Sequence, residues 1–315
     1  MKKIIKQLKK QDNFAVFTHV SPDGDAIGSL FSLAYVLRKM GKKVDAYVSG
    51  NVPKRLQFMA DDFGFEYFTE PSDKKYSCCV SVDSADDMRL GKYKDMYFSA
   101  PVTLCIDHHV TNKGYAKYNL IQGDASSNGE ILFDIFSKMK VLDKVSASLV
   151  YGAIASDTGC FGFSNTSSKT HIASAKLIEC GADYARYNQK LFFTNSKSAL
   201  KAQVYTMQNM EYYFDGAVAL AAVSDKTLEE IGATREDSEG LVNLLKNTEG
   251  VEVAILLKEF DDRVKVSLRT TELVDATAVA GRFSGGGHER AAGCTVYESL
   301  EETKAAVLKV LEEFI

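Results

Sequence analysis

The sequence lacks any long uninterrupted apolar segment, and its basic first ten residues contain no continuous apolar stretch. A membrane-spanning helix requires about 18 or more consecutive apolar residues, and a secretory signal peptide carries an apolar core behind its basic start. We therefore expect no membrane partner and a cytoplasmic location for this chain of 315 residues.

An excess of positive charge is also missing, because 38 Lys and Arg residues stand against 42 Asp and Glu residues, a formal net charge of −4. A protein that binds many phosphates of a long nucleic acid usually carries a net basic surface. The balance argues against long nucleic acid as the main ligand and leaves short nucleotides open. The hydrophobic fraction of 45% is typical of a globular chain with a core of its own.

No pair among the six cysteines has the Cys-x-x-Cys spacing that is typical of zinc or redox sites. Most of them lie in apolar runs, and we interpret them as reduced core residues of a cytosolic protein. They are Cys78, Cys79, Cys105, Cys160, Cys180 and Cys294.

Short apolar strands alternate with amphipathic helices in the first half of the chain. A predicted helix over Ala26–Met40 ends at Gly41, and Ser127 with Glu130 predicts a capping box at the start of a later helix. The predicted strands are Phe14–His19, Val44–Val48, Tyr76–Val82 and Val102–Ile106. This alternation predicts an α/β fold with a mostly parallel sheet flanked by helices, followed by helical patterns from about Asn128 to Gln208.

A second set of strands begins near Tyr212 and predicts a smaller C-terminal α/β domain. Its predicted strands are Ala217–Val223, Val251–Glu259 and Val264–Arg269, and its predicted helices are Asp225–Ile231, Glu236–Leu245 and Leu300–Phe314. We expect a first domain over residues 1–195, a helical linker over 196–208 and a second domain over 209–315, with the active site in the cleft between the domains.

Histidine is scarce, with five residues, yet three of the five fall beside aspartates after predicted strands. In open α/β sheets, ligands bind at the carboxyl ends of the strands, so these side chains should converge on one rim. A fourth element, Tyr151–Ser156, leads into another aspartate. The converging residues are His19, Asp23, Asp25, Asp83, Asp107, His108, His109 and Asp157.

Several carboxylates at one rim would repel each other without a cation. Carboxylates with imidazole suit Mn²⁺, and less often Mg²⁺, Co²⁺ or Zn²⁺. About seven ligands exceed the need of one ion, whereas two ions about 3.5–4 Å apart that share a carboxylate would use them all and could activate water as hydroxide. Taken alone, Asp83 would be a helix cap and Asp23-Gly24 a turn. Their combination predicts a two-metal site that hydrolyses phosphate esters.

Five segments carry a resemblance to a known family. They are THVSPDGDAIGS (residues 18–29), VDSAD (82–86), IDHHVTN (106–112), SDTGCFGFSNT (156–166) and GRFSGGGHERAAG (281–293). In combination and in this order they resemble the DHH phosphoesterases with a C-terminal DHH-associated domain, and among these the bacterial nanoRNases and pAp phosphatases. The resemblance covers nearly the whole chain and would make the first domain the catalytic one.

The resemblance implies that the protein binds two divalent ions. Mn²⁺ is the expected metal, and Mg²⁺ or Co²⁺ are the alternatives. The first ion would be bound by His19, Asp23 and Asp83. The second would be bound by Asp25, Asp83, His108 and Asp157, with Asp83 as the bridge. Asp107 would orient an imidazole, and His109 would face the scissile phosphate. The chain departs from the family at Gly162, in a stretch where members often carry a basic residue.

A run of glycines in the second domain precedes a histidine. Consecutive glycines let backbone N–H groups approach an anion closely, and an arginine at the end of a strand can hold a phosphate bidentately. Alone, the run would be a flexible turn. Together with the resemblance it is assigned to substrate binding, by Arg269, Gly285, Gly286, Gly287 and His288.

The resemblance implies hydrolysis of short oligoribonucleotides, linear dinucleotides or 3′-phosphoadenosine 5′-phosphate to mononucleotides. A cyclic dinucleotide phosphodiesterase is the alternative, and a pyrophosphatase is less favoured because those enzymes lack the Gly-Gly-Gly-His segment. A non-catalytic nucleotide-binding regulator is disfavoured because every assigned metal ligand is present. Monomer and homodimer both stay open.

Overall fold

The computed structural model describes residues 1–315, apart from the side chain of His288. The chain divides into two compact units, Met1–Thr194 and Asn195–Ile315. Among the described residues, no helix combines the length and the apolar character that crossing a membrane would need.

The first unit is built on a five-stranded sheet in which every pairing is parallel, in the order β2-β1-β3-β4-β5. The strands are β1 (Asn13–Phe17), β2 (Lys43–Tyr47), β3 (Cys78–Val82), β4 (Thr103–Asp107) and β5 (Tyr118–Ile121). The predicted parallel sheet flanked by helices is confirmed. Strand β5 is not apparent from the sequence because it is a short edge strand whose side chains are only partly buried.

Helices surround this sheet, and alternate strand residues enter different apolar clusters. Phe14 and Val16 pack into one cluster, whereas Ala15 and Phe17 pack into another, because successive side chains point to opposite faces of a strand. The helices are α1 (Lys2–Lys10), α2 (Gly24–Lys39), α3 (Phe58–Asp61), α4 (Lys94–Phe98), α5 (Asn128–Met139), α6 (Lys144–Asp157), α7 (Ser168–Glu179) and α8 (Tyr184–Phe192).

Two glycines let α2 and α5 approach α6 closely. A Cβ atom at Gly28 would lie 2.7 Å from the backbone oxygen of Leu149, and one at Gly129 would lie 2.7 Å from Cβ of Ala153. Both distances are too short for a larger side chain without movement of the neighbouring helix. The close packing brings the beginnings of α2 and α5 and the end of α6 towards the same rim of the sheet.

The capping box predicted at the start of α5 is only half formed. Ser127 accepts a hydrogen bond from the Glu130 N–H, but the Glu130 carboxylate is buried and accepts from the hydroxyls of Ser126 and Thr170 instead. The prediction of a reciprocal bond is wrong because these two hydroxyls occupy the carboxylate.

The second unit contains a six-stranded mixed sheet in the order β10-β11-β9-β8-β7-β6, with β7 and β8 parallel and the other pairs antiparallel. The strands are β6 (Glu211–Tyr213), β7 (Val218–Ser224), β8 (Val253–Phe260), β9 (Arg263–Thr270), β10 (Gly286–His288) and β11 (Ala291–Val296). The predicted second α/β fold is confirmed as a mixed sheet with helices.

The helices of the second unit include one correction. The predicted helix Glu236–Leu245 is interrupted at Gly240, whose φ of +79° breaks the helical path between a 3₁₀ turn, Glu236–Ser238, and the next short helix. The helices are α9 (Lys197–Gln208), α10 (Asp225–Ile231), α11 (Val242–Lys246), α12 (Ala276–Gly281) and α13 (Leu300–Leu311). Helix α9 spans most of the predicted linker and packs Ala202 into an apolar cluster of the second unit.

The cysteines are free thiols, four of which are buried. Cys160 is partly exposed and Cys180 is exposed, so the interpretation as a core residue is wrong for Cys180. It lies at the C-terminal cap of α7, beyond the buried face of the helix.

Candidate metal centre

Asp83 lies at the middle of the candidate centre, directly after β3, and is only 2% exposed. Its Oδ2 atom is 3.6 Å from Nε2 of His19, and its Oδ1 atom is 3.4 Å from Nε2 of His108. Its φ of +53° is left-handed, a conformation that aspartate adopts more readily than most residues. The turn directs one carboxylate between the imidazoles that follow β1 and β4.

Two groups of potential metal ligands lie on either side of this carboxylate, which belongs to the first group and contacts His108 of the second. In each group, one donor atom per residue lies within 4.8 Å of the others. The first group is His19, Asp23 and Asp83, and the second is Asp25, His108 and Asp157. A third combination joins Asp83 and His108 to His109. The structure thus brings together every residue for which the sequence predicts a metal contact.

Asp25 is held by the beginning of a neighbouring helix. Its two carboxylate oxygens accept hydrogen bonds from the backbone N–H groups of Asn128 and Gly129, at 2.6 Å and 2.9 Å, and Oδ1 also accepts from Ser29. The positive end of the α5 dipole favours a negative charge here. Oδ2 still lies 3.9 Å from Nε2 of His108, so the carboxylate is both fixed and directed at the centre.

Asp157 reaches the same rim from a helix. It is the last residue of α6, and its Oδ2 atom is 3.7 Å from Nε2 of His108. The three other ligand-bearing segments follow β1, β3 and β4, as the sequence predicts. The Asn165 side chain donates to the backbone oxygens of Asp157 and Ser126, which ties the end of α6 to the beginning of α5.

Asp107 supports the second histidine of its motif. Its Oδ1 atom is 2.8 Å from Nδ1 of His109, and its Oδ2 atom accepts a hydrogen bond of 2.7 Å from Asn112. The Asn112 amide also donates to the backbone oxygen of Ser84. Because Asp107 is fully buried, this chain of hydrogen bonds fixes the orientation of the His109 ring.

The charges at the centre favour a bound cation. Burial, with Asp83 and Asp157 nearby, raises the pKa of Asp25 well above its usual value, and burial raises the pKa of Asp157 to about 7. Burial alone would lower the pKa of His108, but the close negative charge of the Asp83 carboxylate raises that pKa to about 11. Without a metal, protons must therefore balance the carboxylates.

One atom tests whether the residues fit an ion. Asp83 Oδ1 is buried and has no hydrogen-bond partner among the described residues. A buried carboxylate oxygen without a partner is costly, whereas a divalent ion would satisfy it. Aspartate oxygens with imidazole nitrogens are donors that Mn²⁺ accepts. The donor set fits divalent ions.

The candidate substrate residues of the second unit lie on neighbouring strands. Arg269 on β9 pairs with Ala291 on β11, and Ala291 pairs with position 288 on β10. The side chain of His288 lies outside the described residues. The Arg269 guanidinium is partly buried and donates to the backbone oxygen of Leu268.

The three glycines of this segment differ in their surroundings. A Cβ atom at Gly285 would lie 2.4 Å from the backbone oxygen of Gly293, and one at Gly287 would lie 2.4 Å from that of Ala291. A Cβ atom at Gly286 would meet nothing within 4 Å. Gly285 and Gly287 therefore allow close strand packing, and Gly286 leaves open space.

Three features of the centre escape the sequence analysis. The N–H groups that hold Asp25 carry no sequence signal beyond a helix start, and Asn112 is recognisable only as part of IDHHVTN. The third is Arg89, whose guanidinium contacts His19 at 2.9 Å. The sequence gives no sign that an arginine after an acidic run contacts a metal-ligand histidine.

Comparisons with known proteins cover both units. Residues 13–154 match the DHH family, N-terminal domain, and residues 215–315 match the DHHA1 domain. The bifunctional oligoribonuclease and PAP phosphatase NrnA of Thermus thermophilus is 30% identical over 305 residues, which span 95% of this chain and 89% of that protein. The protein of the same name from Bacillus subtilis is 27% identical over 300 residues, which span 93% and 92%.

Solved structures share the fold. An exopolyphosphatase-related protein from Bacteroides fragilis has a TM-score of 0.89 and 25% identity, covering 99% of this chain and 95% of that one. Exonuclease RecJ bound to manganese has a TM-score of 0.54 and 10% identity, covering 99% and 93%.

Proposed function

The chain belongs to the DHH family, and from that premise we propose that it hydrolyses short oligoribonucleotides, linear dinucleotides or 3′-phosphoadenosine 5′-phosphate to mononucleotides. It is a hydrolase of phosphoester bonds that depends on divalent metal. The relatives that are 30% and 27% identical over most of their length carry the name oligoribonuclease and PAP phosphatase, which supports this substrate class.

The observation that carries the proposal is the buried Asp83 carboxylate, which lies between one donor group and the His108 imidazole of the next. Asp83 lies within 3.4–3.6 Å of an imidazole on either side, and Asp23, Asp25 and Asp157 complete the two groups. A pair of divalent ions, which we propose to be Mn²⁺, would supply activated water and stabilise charge on the phosphoryl oxygens. His19, Asp23 and Asp83 would hold one ion, and Asp25, Asp83, His108 and Asp157 the other.

His109 is the residue we assign to the substrate side. The Asp107 carboxylate accepts from Nδ1 of His109 and so sets the tautomer of the ring. Nε2 can then face the scissile phosphate, either donating to it or helping the leaving group. This role requires only that Asp107 and Asn112 hold the ring still, which their hydrogen bonds of 2.7–2.8 Å do.

The second unit would bind the part of the substrate remote from the scissile bond. Arg269 offers a guanidinium that suits a phosphate, and Gly286 offers open space beside a backbone N–H. Position 288 lies two strands from Arg269 in the same sheet. A chain of net charge −4 with such a limited anion-binding surface suits a short ligand better than a long strand.

The test is a substrate panel with Mn²⁺. We expect kcat/KM to be highest for RNA of two to five nucleotides or for 3′-phosphoadenosine 5′-phosphate, and to fall on RNA of twenty nucleotides. Chelator-treated protein is the blank, and Asp25→Asn, which removes one ligand charge, is the matched negative control. Equal or rising efficiency on the longest strand would indicate a processive exonuclease, and preference for cyclic di-AMP would indicate a cyclic dinucleotide phosphodiesterase.

A further inference from the structure

Arg89 places a positive charge at the edge of a centre otherwise made of carboxylates and imidazoles. Its guanidinium is 2.9 Å from Nδ1 of His19, on the opposite side of the ring from Asp83. The side chain is exposed to solvent, although it lies directly against a candidate metal ligand. An exposed arginine in this place is accessible to a substrate that approaches the centre.

The backbone of Arg89 is anchored more firmly than its side chain. Its N–H group donates to the Asp86 carboxylate at 3.0 Å, and its carbonyl oxygen accepts from the Val20 N–H at 2.8 Å. Val20 directly follows His19, so this bond fixes the segment to the loop that carries the ligand. The Cα atom is therefore held in place, while the guanidinium contacts the His19 ring.

The two contacts of His19 Nδ1 exclude each other. The same nitrogen lies 2.8 Å from the backbone oxygen of Val20 and 2.9 Å from the Arg89 guanidinium. A protonated Nδ1 can donate to Val20 but then opposes the N–H groups of Arg89, and an unprotonated Nδ1 can accept from Arg89 but then opposes the carbonyl oxygen. Only one of the two hydrogen bonds can exist at a time.

Nε2 of His19 lies 3.6 Å from the Asp83 carboxylate. If Nε2 served as a metal ligand, the ring proton would lie on Nδ1, which would donate to Val20. Arg89 would then lack an acceptor on His19, and its donors would be available to another partner beside the centre.

We propose that Arg89 is a substrate-binding residue whose guanidinium leaves His19 when the centre is loaded and holds an oxygen of the phosphoryl group bound at the ions. A guanidinium matches a phosphate in charge and geometry. Arg89 would provide this positive charge beside the donor group of His19, Asp23 and Asp83. The inference rests on the proposed phosphoester hydrolysis.

Binding of adenosine 5′-monophosphate to the Mn²⁺-loaded protein tests the inference independently of turnover. Calorimetry on Arg89→Gln should give an affinity about 10- to 100-fold weaker than wild type, the loss of a hydrogen bond to a charged group. Arg89→Lys, which keeps the charge and loses the planar fork, should fall between them. Lys92→Gln removes one charge from the same segment, where Lys92 pairs with Glu70, and should bind as wild type does.

Two further measurements distinguish a phosphate contact of Arg89 from structural support of His19. Mn²⁺ stoichiometry and affinity should stay within about threefold of wild type in Arg89→Gln, since a metal-bound His19 no longer contacts Arg89. The kcat/KM for bis(p-nitrophenyl) phosphate and for a dinucleotide should fall in parallel, because both contain the phosphoryl group at the ions.

Three outcomes would overturn the inference. Unchanged nucleotide affinity would remove the phosphate contact, and loss of Mn²⁺ in Arg89→Gln would reduce the residue to a support for His19. A defect limited to the dinucleotide would place the contact on a remote phosphate. If wild type hydrolyses no ester while nucleotide binding still requires Arg89, the proposed function fails and this inference stands.

Discussion

Tyr35 donates a hydrogen bond of 2.7 Å to the carboxylate of Asp143, and this bond joins the two helices that carry Asp25 and Asp157. Tyr35 lies on α2, which begins beside the centre, and Asp143 caps α6, which ends there. The two helices are thus tied together at the end remote from the candidate metal centre. Their register fixes how far apart the two carboxylates lie.

The Asp143 contact should contribute a stability that depends on pH. Burial alone would raise its pKa, but hydrogen bonds from Lys39, the Ser146 N–H and Tyr35 lower that pKa to about 2. Because the folded pKa lies below the unfolded value of about 3.9, the contribution is complete above about pH 4 and is lost as the pH falls towards 2.

Asp143→Asn keeps a residue that caps helices well and removes the charge. We expect a free energy of unfolding about 1–2 kcal/mol lower than wild type at pH 7, measured by urea unfolding, with the difference closing between pH 4 and 2. Tyr35→Phe should cost about 1 kcal/mol. A difference for Asp143→Asn that persists unchanged at pH 2 would contradict the assigned role of the charge.

Asp83→Asn should remove both bound Mn²⁺ and turnover while the fold is retained. Asparagine tolerates the left-handed φ of this position, so the change removes the charge and leaves the backbone path intact. We expect kcat/KM to fall by about 100-fold or more, beyond the 10- to 100-fold typical of residues that only orient ligands. Metal analysis and circular dichroism measure the two effects.

Asp87→Asn is the control for that experiment, because Asp87 lies four residues away and pairs with Lys94. It should keep full metal content and activity. Asp83→Asn with more than a tenth of wild-type activity would show that the shared carboxylate is assigned wrongly.

Asp107→Asn should separate the support of His109 from metal binding. An asparagine side chain has one neutral acceptor oxygen, whereas the Asp107 carboxylate has two charged ones. The variant therefore cannot accept hydrogen bonds from both His109 Nδ1 and the Asn112 amide, and the ring loses its fixed orientation. We expect kcat to fall by about 10- to 100-fold with Mn²⁺ stoichiometry unchanged, measured on the same samples. The exposed Asp124→Asn serves as the control. Loss of an ion in Asp107→Asn would make His109 a ligand, in agreement with the third donor combination.

We expect Arg269→Ala and His288→Ala to impair hydrolysis of a dinucleotide but not of a small activated ester. A remote contact can position the reacting phosphate, so each change should lower kcat/KM for a dinucleotide by about 10- to 1000-fold. Hydrolysis of bis(p-nitrophenyl) phosphate, which lacks the second nucleotide that we expect these residues to bind, should stay within about threefold of wild type. Arg263→Ala on the same strand is the control, and His108→Ala should damage both reactions. Equal loss of both activities in His288→Ala, with metal retained, would place that histidine in the chemistry.

The sequence predicts the parallel sheet and the convergence of the aspartates and histidines because both depend on local patterns. The sequence alone shows the apolar runs that form the strands. It also shows that Asp83 and Asp107 follow two of these runs directly. The helical patterns from about Asn128 to Gln208 predict that Tyr151–Ser156 is helical, but they do not reveal that a helix ends at Asp157. Only the packing of α6 against Gly28 and Gly129 decides its place at the rim.

The support around the ligands is harder to predict than the ligands. Backbone N–H groups hold Asp25, and any residue at positions 128 and 129 would offer one. Glu130 illustrates the same limit. The sequence predicts that its carboxylate caps α5, but the carboxylate accepts hydrogen bonds from two hydroxyls instead, and one of these is forty residues away in sequence. The hydrogen-bond partner of a buried polar group depends on which other polar groups the fold places beside it.

Each apolar cluster of the protein forms within one unit, and every assigned metal ligand belongs to the first. By thermodynamic linkage, an ion that binds only the folded form adds about 2.7 kcal/mol to the unfolding free energy at a hundred times its dissociation constant. That gain falls on the unit that holds the ion. A supply of divalent metal would therefore raise the stability of the N-terminal unit against heat and proteases, and removal of the metal would lower the stability of that same unit.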